Sequence, residues 1–230
     1  MARAKSWPSW AALGRAWSAV TVFDIPIYVD RSWFIIAALL MWSLSTNYFP
    51  TRAPGLSWWS YWLMGGSATL LLYVCIVLHE FGHSLVARQH GIRVACVTLF
   101  IFGGVSQILD HPRRPSVELR VAIAGPLVNI FLAVLFSFML KGGFSPADRQ
   151  VLQMAVDINL VLALFNMIPI PPLDGSRVVM GLLPSSLAYL YGRLEQYGIV
   201  IVFVLLYFGI LNRVIWPIVE FFKNLLGMNT

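Results

Sequence analysis

Within Val74–Gly91, VCIVLHEFGHSLVARQHG, two histidines stand four residues apart with a glutamate directly after the first. On a helix, residues i and i+4 lie on one face one turn apart, so His79 and His83 can aim at a single point. That is the H-E-x-x-H arrangement that binds zinc. Glu80 is rotated by about 100° from His79. It is poorly placed as a third ligand on that face but well placed to reach a metal-held water as a general base. A chance match in a chain this long is roughly a one-in-a-hundred event. The segment just before it, Ser67–Leu78, is almost wholly apolar. Ionisable groups at membrane depth are costly unless something satisfies them, and a divalent cation would do so here.

A catalytic zinc commonly has three protein ligands and one open position. Ten acidic residues are available. Asp24 and Asp30 precede the first apolar run; Asp110 and Glu118 have arginines nearby. Asp148 and Glu195 sit in loops or poorly defined regions, Asp157 is mid-helix, and Glu220 is far along the tail. Asp174, in the proline-broken stretch NMIPIPPLDGSR (Asn166–Arg177), is the expected third ligand. His90 lies about 10 Å further along the helix axis than His83, beyond ligand reach. Cys75, one turn before His79, reads as a small packing residue.

These residues need elements to hold them, and composition says in what solvent. Of 230 residues, 59% are hydrophobic and only 11% charged, where a soluble domain has about a quarter charged. Two cysteines are too few for a disulfide framework. The net charge of +6 is spread between apolar runs, which fits membrane topology signals and argues against nucleic acid. Spanning segments need about 20 apolar residues. Candidates are Trp33–Asn47, Trp62–Gln89, Val117–Leu140, Asp148–Met167 and Gly198–Leu211. The expectation is an α-helical polytopic membrane protein with five to six transmembrane helices. Residues 175–197 and the final helix (214–230) have no clear relation to the bilayer. Residues 1–30 read as an interfacial segment without a removable signal peptide.

Ile92–Leu109, rich in β-branched residues around Gly103-Gly104, predicts a small membrane-associated β-hairpin. With the N-terminus cytoplasmic, ten basic residues fall inside: Arg3, Lys5, Arg15, Arg31, Arg88, Arg93, Arg113, Arg114, Arg120 and Arg177. Up to the ambiguous region that follows Asp174, only Arg52, Lys141 and Arg149 fall outside. The positive-inside bias therefore predicts a cytoplasmic N-terminus and an active centre toward the cytoplasmic side.

HEFGH, AGPLVN (Ala124–Asn129) and NMIPIPPLDG (Asn166–Gly175), in this order, resemble the site-2 protease family of intramembrane zinc metalloproteases. The resemblance covers about residues 65–180, a single catalytic core. It implies one zinc ion held by His79, His83 and Asp174, with Glu80 activating water. Asn129 and Asn166 match asparagines near the active site that face substrate carbonyl or backbone; hydrogen bonding between helices explains them equally well. Many members carry PDZ or CBS domains, for which these residues leave no room, so the resemblance is to a minimal form. It further implies a multi-pass protein of a prokaryotic cell membrane. The substrate would be a membrane-spanning protein, cut to release a regulatory or signalling fragment, with room for a regulatory membrane partner.

Other readings are a catalytically inactive homologue acting as a binding protein, a zinc transporter, or a prenyl-protein protease. Glu80 speaks against the first. No repeated halves support the second. A prenyl-protein protease would take its third ligand as a Glu on a later helix, against the proline loop here.

Overall fold

The computed structural model describes residues 16–100, 103–110 and 114–228. The first half of the interfacial N-terminal segment, residues 1–15 with Arg3, Lys5 and Arg15, lies outside the described residues, as does Arg113. Nine helices among the described residues are α1 (Arg31–Ser43), α2 (Phe49–Arg52), α3 (Trp58–Gln89), α4 (Pro115–Met139), α5 (Pro146–Asn166), α6 (Asp174–Leu182), α7 (Ser185–Gly192), α8 (Glu195–Tyr207) and α9 (Ile210–Leu225). A π-helical turn, Leu44–Tyr48, joins α1 to α2. Three helical stretches are long and apolar enough to cross a membrane: Arg31–Arg52, α3 and α4. A fourth is possible if α7 and α8, bent by 59°, act as one broken span.

The expected fourth run, Asp148–Met167, is indeed helical as α5, but its early turns carry Asp148, Arg149, Gln150 and Gln153. That polarity keeps it below the composition of a clear span. The expected run Gly198–Leu211 is divided: Gly209, at φ +67°, ends α8 and starts α9. Only glycine adopts that conformation at little cost.

The hairpin forms as β3 (Val94–Phe100) and β4 (Gly103–Ile108). It belongs to a larger sheet. Ala16–Val22 (β1) and Ile25–Asp30 (β2) pair antiparallel, and β2 runs parallel to β3, giving the order β1-β2-β3-β4. So residues 16–30, expected to lie at the membrane surface, are strands. Among the described residues β4 is an edge strand, with no strand paired on its outer side.

The helix α3 has 32 residues, about 48 Å of helix, and outruns the roughly 30 Å hydrocarbon layer. Trp58, Trp59 and Trp62 at its start suit the headgroup level. Some twenty residues further on, the apolar span reaches the HEFGH segment. Three faces of that segment go three ways. Phe81, two residues from each histidine, turns from them into a cluster with Ile25, Ile27 and Val97 of the sheet. The histidines face α4, and Glu80 faces β4. At Gly82 an added Cβ would come within 2.8 Å of the Ala124 carbonyl oxygen, so a larger residue there would push α3 and α4 apart. The main apolar core lies on the other side, where Leu132, Ala133 and Phe136 of α4 meet Leu152, Val156 and Leu160 of α5 and Leu211, Ile215 and Val219 of α9.

Candidate metal centre

The proline-broken loop after α5 ends in Asp174, the first residue of α6. Gly175 follows because the backbone of Met167 and Ile168 packs there; a Cβ would sit 2.6 Å from the Ile168 carbonyl oxygen. The return of the chain carries the Asp174 carboxylate onto the histidines of α3, 91 residues earlier than it next to His83. His79 and His83 Nε2 are 3.1 Å apart, and Asp174 Oδ2 is 3.2 Å from the first and 3.1 Å from the second. Both histidines are buried, and Asp174 is half-buried.

Three ligand atoms thus form a nearly equilateral triangle. Zinc ligands at about 2.0–2.1 Å in tetrahedral geometry stand roughly 3.3–3.4 Å from one another. The triangle fits that demand with a contraction of a few tenths of an ångström. Space beside it is kept open by Gly125, whose absent Cβ would lie 2.7 Å from His79 Nε2 and nearer still to His83 Nε2. Alanine there would crowd the ligand atoms.

The tautomers of both histidines follow from their outer partners. His83 Nδ1 lies 2.6 Å from the Val121 carbonyl oxygen, which can only accept, so Nδ1 carries the proton. For His79 the position of the proton is set through two asparagines. Asn159 Nδ2 donates to the Ala155 carbonyl oxygen at 2.8 Å, which fixes which end of that amide is which. Its Oδ1 then accepts from Asn129 Nδ2 at 2.9 Å. Asn129 Oδ1 is left facing His79 Nδ1 in a short contact, so His79 donates from Nδ1. Both imidazoles therefore turn an Nε2 lone pair inward, toward each other and toward a carboxylate. Three acceptors converge with no proton between them, an arrangement that calls for a cation. A carboxylate that binds a metal ion must be deprotonated, and an imidazole must offer a lone pair, so the arrangement of Asp174, His79 and His83 suits a cation and not a proton.

Glu80 stands beside this triangle. The Ser106 hydroxyl of β4 donates to Glu80 Oε2 at 2.6 Å and lies 3.0 Å from the Glu80 carbonyl oxygen, while Ser84 Oγ is 3.1 Å from Ser106 Oγ. Gly104 leaves room for the same side chain; a Cβ there would be 2.8 Å from Glu80 Cγ. The edge strand thus sets the rotamer of the glutamate.

Other residues singled out from the sequence fall as follows. Asn129 is fully buried with both ends of its amide engaged behind His79. Asn166 ends α5 half-buried, and its side chain has no hydrogen-bond partner among the described residues. Cys75 packs in the core and accepts from Asn159 Nδ2 at 3.2 Å. His90 caps the end of α3, bonded to the Val86 carbonyl oxygen, away from the triangle. Asp110 pairs with Arg93 at 2.6 Å. Asp157 is met by Lys223 of α9 at 3.2 Å, an ion pair whose direction falls short of a good hydrogen bond. Neither Asn159 nor Ser106 as a partner of Glu80 stands out in the sequence. Their only local signal was a polar residue in an apolar helix and one in an apolar strand.

A family model described as peptidase family M50 matches residues 67–148 and 145–209 of the chain. The protein sll0528 of Synechocystis sp. is 41% identical over 160 residues, covering 69% of this chain and 42% of that protein. Zinc metalloprotease MJ0392 of Methanocaldococcus jannaschii is 32% identical over 146 residues, 62% of this chain and 42% of that one. YwhC of Bacillus subtilis is 34% identical over 185 residues, covering 66% of this chain and 84% of YwhC. The matched part accounts for well under half the length of the first two. Among solved structures, the site-2 protease from Methanocaldococcus jannaschii shares the fold, with a TM-score of 0.59, 24% identity and 89% of each chain covered.

Proposed function

Because the chain belongs to peptidase family M50, we propose that it is an intramembrane zinc metalloprotease that hydrolyses peptide bonds in or near transmembrane segments of other proteins. The observation that carries this reading is the His79–His83–Asp174 triangle with Glu80 held at its side. One zinc ion per chain, held by those three residues, would supply Lewis acidity to a water and to the scissile carbonyl.

The chain's own residues do the rest. Glu80 takes the proton of the attacking water and returns it to the leaving amine. Ser106 holds the Glu80 carboxylate aimed by donating to its Oε2. Asn129 and Val121 fix the two imidazoles with their Nε2 lone pairs inward. We assign Asn129 to that positioning task, because its amide has no free end for substrate. Asn166, with an unspent amide beside the loop to Asp174, is the residue for a substrate carbonyl or backbone amide.

A substrate helix hides its peptide bonds in its own hydrogen bonds, and opening it in a dry setting strands donors and acceptors. β4, with an unpaired edge next to Glu80, would take up the opened segment as an added strand. In this reading α5 also crosses the bilayer, bringing the count to five or six spans. The N-terminus and the metal centre lie on the cytoplasmic side, where a regulatory or signalling fragment would be freed. A homologue that binds substrates without cutting them is the second reading; an acid correctly placed next to the triangle argues against it.

The test separates metal from chemistry. Purified protein is assayed for zinc and for cleavage of single-span proteins co-expressed with it. His79→Ala, His83→Ala and Asp174→Ala should each lower zinc content and abolish cleavage. Glu80→Gln should retain most of the zinc and lose at least about a hundredfold in rate. Full zinc and full turnover in Asp174→Ala would exclude the proposed centre, and cleavage unchanged in Glu80→Gln would exclude its chemistry.

A further inference from the structure

Away from the metal centre the fold does something the loop charges alone do not show. Arg52, Lys141 and Arg149 are the three basic residues that the charge bias leaves on the outer side. They come from separate places: the end of α2, the turn after α4 and the first turns of α5. All three line one cavity of about 340 Å³. Lys223 of α9 and Asp157 of α5 also line it, so four cations meet one carboxylate and the walls carry a net charge of +3. Asp157 and Lys223 compensate each other at 3.2 Å, with Glu220 3.3 Å from the same ammonium. Arg52, Lys141 and Arg149 have no carboxylate partner among the described residues.

Two of these cations are steadied by rings rather than by acids. The Arg52 guanidinium lies 5.5 Å over Tyr48, and the Lys141 ammonium 5.1 Å over Phe138. Gln150 and Gln153 add amide groups to the wall without side-chain hydrogen bonds of their own among the described residues. Unpaired cations with free amides around an open volume are the chemistry of an anion site, and arginine in particular matches phosphate oxygens in pairs.

Depth decides which anion. Ser137, on the cavity wall, is three turns and more along α4 from Gly125, about 18 Å from the metal centre along the axis. The cavity therefore lies away from the metal centre, toward the end of the bundle at which Trp58 and Trp59 begin α3. Beside the Lys141 ammonium, Phe138 is 70% exposed, an apolar flank on which an acyl chain can lie. A dissolved anion needs no such flank, whereas a lipid needs both parts.

We propose that this cavity binds the phosphate headgroup of an anionic phospholipid, with Arg52, Lys141 and Arg149 as its ligands. Bound there, the headgroup ties the end of α2, the α4–α5 connection and the end of α9 together, because each contributes to the wall.

The experiment uses the whole protein in phosphatidylcholine nanodiscs, with and without added phosphatidylglycerol. Native mass spectrometry counts the lipid retained, and thermal unfolding reports stabilisation. Wild-type protein should keep phosphatidylglycerol in preference to phosphatidylcholine and unfold at a higher temperature with it. Each of Arg52→Gln, Lys141→Gln and Arg149→Gln should weaken retention about fivefold, while Arg120→Gln, on α4 at the other end of the bundle, should not. Zinc content, read at the distant centre, reports whether each variant is folded; should an arginine variant fail it, Lys141→Gln, at an exposed position in the turn after α4, decides. Equal retention by wild type and variants overturns the proposal. A third arm adds inorganic phosphate to phosphatidylcholine discs. If phosphate stabilises the protein through these residues and phosphatidylglycerol does not, the lipid assignment is wrong.

Discussion

Asn129 donates to Asn159 across 2.9 Å in the middle of the bundle, and through that bond an ordinary helix carbonyl, Ala155, determines which nitrogen of His79 faces a metal. Both asparagines are fully buried. Replacing Asn159 by leucine keeps an apolar fit but removes the group that orients Asn129. The freed amide can then turn its NH₂ toward His79 Nδ1, which forces the proton to Nε2 and spoils a ligand. Outer partners of metal-bound histidines are typically worth ten- to a hundredfold in affinity. Asn159→Leu should therefore weaken zinc by about that factor in a chelator competition. An unchanged zinc affinity would show that Asn159 only packs.

Gly125 offers a complementary test by crowding rather than by lost bonds. Its missing Cβ leaves the space beside both Nε2 atoms. Gly125→Ala should lower zinc content, while Gly66→Ala, where a Cβ meets only the flexible end of Met41 at 3.6 Å, should leave it alone. Metal analysis on both purified variants distinguishes the site from general helix crowding.

The difference between these residues and the ones legible in the sequence is one of distance along the chain. His79 and His83 announce themselves because helix periodicity alone puts them on one face. Asp174 was reachable by elimination, since prolines on its N-terminal side exclude a continuing helix. Asn159 has its partners 30 and 84 residues earlier, and Ser106 meets Glu80 from 26 residues later. No local pattern encodes such pairings. The same holds for the sheet. The β3–β4 hairpin is a local event around Gly103-Gly104 and was foreseen. The parallel pairing of β2 with β3 joins Tyr28 to Thr98 and depends on the whole of α3 folding back. Its strands, near tryptophans and arginines, look like interfacial sequence until that pairing exists.

Ser106 shows why that matters for experiments. A proline at this position would be a natural probe of strand pairing by β4. Here it would also remove the hydroxyl that holds Glu80 Oε2, so loss of activity would have two causes. Ser106→Ala isolates one of them. It should lower kcat about tenfold or more with KM and zinc content nearly unchanged, and Ser106→Thr should restore much of the rate. A loss confined to KM would instead place Ser106 in substrate binding.

The final expectation concerns the substrate itself. In the proposed reaction, zinc, Glu80 and the edge of β4 would act only on a carbonyl that has left its helix. Unwinding a few residues within the bilayer leaves several backbone groups without partners, at a cost that β4, as the proposed pairing edge, would repay only after the segment is extended. Residues that weaken a helix lower that cost before the transition state and do little for the first encounter. Glycine gives up about 1 kcal/mol of helix preference relative to alanine, and proline about 3. Substrates should therefore carry Gly, Pro, Asn or Ser near the cleaved bond. Changing one such glycine to leucine should slow cleavage by roughly fivefold, from a preference difference of nearly 1 kcal/mol, with binding to the Glu80→Gln protein little altered. A series of single-span substrates with graded helix strength, cut at equal rates, would mean that unwinding is not part of the barrier.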